Sequence, residues 1–330
     1  MNKKILTGGT VFLILISSFL AFGWGFWGHK RINRQACFTL PSDMFGFYKK
    51  HIEYITEHAV DPDKRRYSDP EEAPRHYIDL DHYHFGPHAV DSIPHFWKEA
   101  AAKMTEDTLK AYGIVPWHIN VMQYRLTDAF KEKNVDRILY LSASLGHYVA
   151  DAHVPLHCSE NYNGQMTNQV GIHGFWESRL PELFGEDYDY FVGKAHYIDK
   201  PQEEAWKIVA ASFAALDSVL NFESDLNKKF SPDRKYAFEQ RGATTAKVYS
   251  QDYSAAYNKM LDGMVERRMR SAIVEVASFW YTCWVNAGSP DLTNIENQEM
   301  TDSMKLKQKE DEELWKTGTL RPKGHSDSDN

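Results

Sequence analysis

Apolar positions along the chain recur at helical spacing, and the alternation that marks a half-buried strand is scarce. The pattern predicts helices over roughly residues 30–58, 95–112, 116–131, 135–152, 172–184, 202–230 and 244–287. Pro94, Pro116 and Pro201 sit near the starts of such segments, where a missing N–H costs nothing, and Asn134 has the profile of an N-cap ahead of Val135. Two stretches break the pattern, residues 61–94, rich in Pro, and 159–171, rich in Asn and Gly. No linker-like break divides the middle of the chain. The expected fold is therefore all-α, a single multi-helix domain over residues 24–290. Residues 291–330 form a charged extension, expected to be disordered beyond Thr317, with the acidic run 310–313 as a solvated helix face or tail.

The first residues follow a different rule. A basic start with Lys3 and Lys4 precedes an uncharged run from Ile5 to Phe22, and Ala21 and Gly23 put small residues where a signal peptidase reads. Residues 1–23 are expected to be a cleaved export signal, leaving Trp24 first and the protein periplasmic or secreted. An uncleaved membrane anchor is the competing reading.

Composition narrows the function. With 42% hydrophobic residues the chain can bury a sizeable core. Its 38 basic against 46 acidic residues, net −8, disfavour broad binding to a nucleic-acid backbone, so no stable duplex DNA binding is expected. A substrate met one nucleotide or one headgroup at a time is compatible with that charge, and the expected state is monomeric. Three cysteines are too few and too odd in number for a disulfide framework. Metal is the other common staple of an exported domain, and 15 histidines point the same way. Cys158 is expected to be a buried free thiol.

Four segments carry ligand chemistry. His147 and Asp151 are four apart in a predicted helix and share a face, and His157 lies just past the helix-ending Pro155. His173 and Glu177 repeat the four-residue spacing. Two imidazoles with a carboxylate suit zinc, and catalytic zinc keeps a fourth position open. Trp24, once freed, offers an α-amine and a carbonyl oxygen, with His29 one turn further on. Asp61 or Asp63, together with His76, adds a loop carboxylate and a loop imidazole; Asp61 ranks first on its spacing to His76.

The ordered set Trp24, His29, Asp61, His76, His147, Asp151, His157, His173 and Glu177 resembles the trinuclear zinc site of the superfamily that joins zinc-dependent phospholipase C to the single-strand-specific nucleases of the P-one and S-one type. That resemblance implies three Zn2+ per chain at the bottom of a cleft in an all-α fold. It assigns Asp61, His76, His147 and Asp151 to one zinc, His157, His173 and Glu177 to a second, and Trp24, His29 and Asp151 to a third. The implied reaction is hydrolysis of a phosphodiester without a covalent intermediate. Asp61 and Asp151 carry the catalytic roles, Asp61 by orienting the attacking water. Asn163, Asn168 and Phe26 are candidate substrate contacts, with Asn161 and Thr167 as further cleft-lining groups or mere turn builders.

The W-G-x-x-G-H start and Thr167-Asn168 look nuclease-like, whereas Glu177, the short insert between His157 and His173 and the lack of paired cysteines look phospholipase-like. The balance favours a phospholipase C-like enzyme, with a nuclease or 3′-nucleotidase as the alternative. An exported helical binding protein with structural zinc is the reading of another class. Sequencing the amino terminus of the exported protein is expected to return Trp24-Gly25-Phe26; an intact leader would remove the Trp24 amine from the site.

Overall fold

The computed structural model describes residues 24–241, 244–317 and 324–325, so the leader proposed for residues 1–23 lies outside the described residues. The chain is built from helices α1 (Gly25–Cys37), α2 (Ser42–Lys50), α3 (Ile52–Glu57), α4 (Asp61–Arg65), α5 (Ala89–Ser92), α6 (Trp97–Met104), α7 (Glu106–Ala111), α8 (Val115–Lys131) and α9 (Val135–Asp151). After the loop that follows come α10 (Ile172–Gly174), α11 (Leu180–Phe184) and α12 (Pro201–Lys229). A β1–β2 hairpin (Tyr236–Arg241, Thr244–Tyr249), α13 (Gln251–Met260), α14 (Met264–Asn286) and α15 (Asp302–Thr317) complete the order.

The centre is α9. From Leu141 to Asp151 every residue is buried, and α1, α8 and α14 pack around it. Asn134 caps it as expected, its Oδ1 accepting the Arg137 amide at 3.1 Å. Cross-links fix the neighbours at defined heights. Trp280 Nε1 donates to the Ser142 carbonyl at 3.0 Å, Tyr48 OH lies 2.8 Å from Ser142 Oγ, and Asn33 Nδ2 donates to the Ala143 carbonyl at 3.1 Å. Gly146 sets the α1–α9 separation, because a Cβ there would fall 2.2 Å from Asn33 Oδ1. That close approach lets the His29 ring of α1 stack on the His147 ring of α9, centroids 3.8 Å apart.

The helices expected over 116–131, 135–152 and 202–230 match α8, α9 and α12. Three expectations need correction. The segment 30–58 is three helices, because Leu40 precedes Pro41, which disfavours helical backbone, and the chain bends again at His51. Segment 95–112 is interrupted at Thr105, whose positive φ of 68° breaks the helix while its hydroxyl caps α7. Segment 244–287 starts as a strand, not a helix: β2 pairs antiparallel with β1 from Tyr236↔Tyr249 to Arg241↔Thr244. The hairpin buttresses the turn after α10. Arg179 donates to the Tyr249 carbonyl at 3.1 Å and forks onto Glu239, while Phe175 stacks on Tyr249 at 3.8 Å.

Within the polar extension α15 is helical, carries the acidic run 310–313 and packs on α4. Trp315 sits against Phe26 and under the Lys64 ammonium, and Gln308 bonds the Tyr54 hydroxyl. One described helix, α12, is long and apolar enough to cross a membrane, but its buried face, including Trp206 and Val209, packs on α8 and the turn after α9. Gly146→Ala is expected to lower stability to urea by about 1–3 kcal/mol, the usual cost of overpacking, and to weaken metal binding by parting His29 from His147.

Candidate metal centre

His147 and Asp151 lie on the last two turns of α9, one above the other, with both side chains fully buried. Around them gather groups from four other segments. Asp151 Oδ2 is 2.9 Å from His76 Nδ1 and 3.1 Å from His147 Nε2, while its Oδ1 is 3.3 Å from His29 Nε2 and 3.7 Å from His157 Nδ1. Asp63 Oδ1 stands 3.7 Å from His76 Nδ1 and 3.6 Å from His147 Nε2. Beside this lies a second nest: His157 Nε2 and His173 Nε2 are 2.9 Å apart, with Glu177 Oε2 at 3.5 and 3.1 Å from them.

The donor atoms thus form three groups, His29–His147–Asp151, Asp63–His76–His147 and His157–His173–Glu177. A tetrahedral zinc with bonds of about 2.0–2.1 Å holds its donors about 3.3 Å apart, and the spacings here fall around that value. Buried atoms left without a hydrogen bond converge on the same place: both oxygens of Asp63 and of Glu177, Asp151 Oδ1 and both ring nitrogens of His29. Unpartnered carboxylate oxygens in a dry interior are costly, and a cation is the partner that this donor set fits.

Several rings are held so that one nitrogen faces the cluster. The Ala59 carbonyl accepts from His147 Nδ1 at 2.8 Å, and the His76 carbonyl accepts from His157 Nδ1 at 3.0 Å. Behind His76 stands Glu72, 3.6 Å from His76 Nε2 and itself bound by Arg65, Arg75 and the Tyr148 hydroxyl. Sequence reasoning missed Glu72, although its four-residue spacing to His76 is the rule that found His147 and Asp151.

Electrostatics suit ligation. Burial pushes His147 down to about 3, so its imidazole is neutral at physiological pH. Burial alone would raise Asp151, but the imidazole groups gathered round it outweigh burial and hold the carboxyl well below its usual range. Glu177 is likewise brought to about 2, against burial, by His173 and His157. Asp63 moves the other way: burial raises it, and the Asp151 charge adds to the rise.

The structure sets Asp61 apart from the site expected for it. Residues two apart on a helix do not face the same way, and α4 turns Asp63 inward and Asp61 outward. Asp61 pairs with His58 Nδ1 at 2.6 Å and Lys64 at 3.4 Å, in the crevice under α15. Phe26 is half-buried with Trp315 beside it, ring centroids 5.9 Å apart. Asn163 builds its own loop, accepting the Gly171 amide at 2.9 Å, and Asn168 is exposed at a left-handed turn; Asn161 and Thr167 bond each other. Trp24 is buried, its Nε1 donating to the Ala150 carbonyl at 2.7 Å and its ring 5.2 Å from Trp176. Gly25, at φ 51°, allows this approach, because a Cβ would lie 2.7 Å from Ser178 Oγ beside Glu177. The Trp24 carbonyl accepts the Gly28 amide at 3.1 Å. Glu177 leaves the cluster's helix on a π-turn, Phe175–Arg179, rather than on plain α spacing. Cys158 is a buried free thiol, as expected.

Comparison with known proteins agrees with this geometry. Residues 28–240 match zinc-dependent phospholipase C, and the chain belongs to that family. It is a zinc-dependent hydrolase of the phospholipase C-like phosphodiesterase class. No curated protein matches the chain. Asp63→Asn is expected to lower the zinc content of the purified protein and Asp61→Asn to leave it unchanged, as read by metal analysis after dialysis; the opposite pattern would restore Asp61 to the site.

Proposed function

We propose that the enzyme cleaves the headgroup phosphodiester of phospholipids at three zinc ions gathered round Asp151. The observation that carries this reading is the single buried carboxylate of Asp151, whose two oxygens face different imidazole groups, Oδ2 towards His76 and His147 and Oδ1 towards His29. Asp63, His76, His147 and Asp151 would hold the first ion, and His157, His173 and Glu177 the second. His29 and Asp151 would hold the third with the α-amine of Trp24, once the leader is removed. Zinc bound there supplies a water ionised near neutral pH and positive charge for the phosphoryl oxygens.

The chain's own groups prepare that chemistry. The carbonyls of Ala59 and His76 keep the protons of His147 and His157 on Nδ1, so that Nε2 presents its lone pair to the cluster. Glu72 faces Nε2 of His76 and favours a proton there, which leaves Nδ1 turned towards Asp151. The group His157–His173–Glu177 supplies three ligands, the number that leaves a catalytic zinc one open position. The basic, then apolar, leader sequence supports export, and the enzyme acts as a monomer on lipid outside the cytoplasm.

Zinc-loaded protein should release diacylglycerol from phosphatidylcholine vesicles, lose that activity to a chelator and regain it with zinc. Parallel assays on single-stranded DNA, RNA and a 3′-nucleotide complete the test; cleavage of these with no action on lipid would place the enzyme on the nuclease branch. Asp151→Asn should remove measurable hydrolysis, and Glu72→Gln should weaken zinc affinity about 10–100-fold, as supports of metal ligands commonly do.

A further inference from the structure

The end of the chain returns to the metal centre. The His325 ring lies between Tyr77 and Tyr162, parallel to both, with centroids 3.8 and 4.0 Å away and interplanar angles of 11° to each. Its Nε2 is 2.6 Å from Asp79 Oδ1, and its carbonyl accepts from Arg66. Gly324 lies flat on Tyr77 at a φ of 80°, where a Cβ would fall 2.3 Å from the tyrosine oxygen. The seated His325 is only 5% exposed. These are the contacts of a fitted group, made by a segment whose sequence is polar and charged.

The position of this slot gives it a consequence. Tyr77 directly follows His76, and Tyr162 presents its face or edge to His173 at 5.7 Å and 83°. His157 meets the His325 ring nearly at right angles, 6.2 Å away. The tail therefore stands one ring's width from the His157–His173–Glu177 group, the one with three ligands. Helix α15 is strapped to the body by Trp315 on Phe26, Gln308 on Tyr54 and Thr301 on Asp136.

We propose that Gly324–His325 is an autoinhibitory plug: the pair fills an aromatic slot beside His157, His173 and Glu177, and substrate enters only when it leaves. The inhibitory part of this proposal rests on the phosphodiesterase reading, whereas the seating of the tail does not. Where only a fraction of molecules is open, apparent affinity falls by that fraction, so a plug seated in nine molecules of ten raises KM about tenfold. Substrate and tail compete for one place, so kcat is the same with or without the plug.

The test uses the full-length chain with His325→Ala and, independently, Gly324→Val, which forces the tail off Tyr77. Neither residue belongs to the zinc-binding set. On bis(4-nitrophenyl) phosphate, the zinc-loaded variants should show KM lowered about tenfold with kcat unchanged. A second readout needs no hydrolysis: a fluorescein-labelled peptide of residues 318–330 should bind the variants, whose slot is vacated, and bind wild type far more weakly. Peptide binding without hydrolysis by any form would sink the phosphodiesterase reading and uphold the seated tail. Unchanged KM in both variants, or equal peptide binding by variants and wild type, would overturn the plug.

Discussion

A carboxylate stripped of water organises this molecule. Asp151 sits at the end of the most deeply buried helix, with no exposed surface and with imidazoles on several sides. Taking an ion out of water costs several kcal/mol unless opposite charge and hydrogen bonds compensate. The histidines compensate in part, and they hold the group ionised against burial. Buried oxygens of Asp63 and Glu177 add further negative charge nearby, so the site as a whole calls for cations. The carboxyl end of α9 lies at the same place, and the helix dipole also favours positive charge there.

The scaffold makes that arrangement rigid. Donors come from α1, α4, α9, α10, the loop around His76, the turn after α9 and the π-turn after α10, so their mutual distances depend largely on helix packing. Gly146 and Asn33 fix α1 against α9, and Ser142 ties α9 to Tyr48 and Trp280. Arg179, forked onto Glu239 of the hairpin, holds the turn that carries Glu177. Carbonyls behind His147 and His157 then choose which nitrogen faces inward. Preorganisation of this kind is what lets metal chemistry act on a phosphodiester without rebuilding the site at each turnover.

The extension beyond the bundle belongs to the same design. Helix α15 sets Trp315 beside Phe26 and lines the crevice that holds Asp61, so both side chains face the extension. The return of His325 to Tyr77 and Tyr162 couples the far end of the chain to the approach to the metals. Access to the centre is then a property of the chain's own terminus as well as of its cleft.

The sequence by itself determined the helical class, the long helices α8, α9 and α12, and most of the donor groups that the fold gathers. Those features rest on local periodicity: a helix repeats every 3.6 residues, so His147 and Asp151 must share a face wherever that helix lies. Local rules also erred locally, reading the strand β2 as the start of a helix because a strand this short leaves little alternation to detect. Only the tertiary structure turned Asp63 rather than Asp61 towards His76 and His147, brought Glu72 behind His76 and set Gly324–His325 into the aromatic slot. Each of those outcomes depends on the direction in which one element meets another across tens to hundreds of residues, and no spacing along the chain encodes that direction.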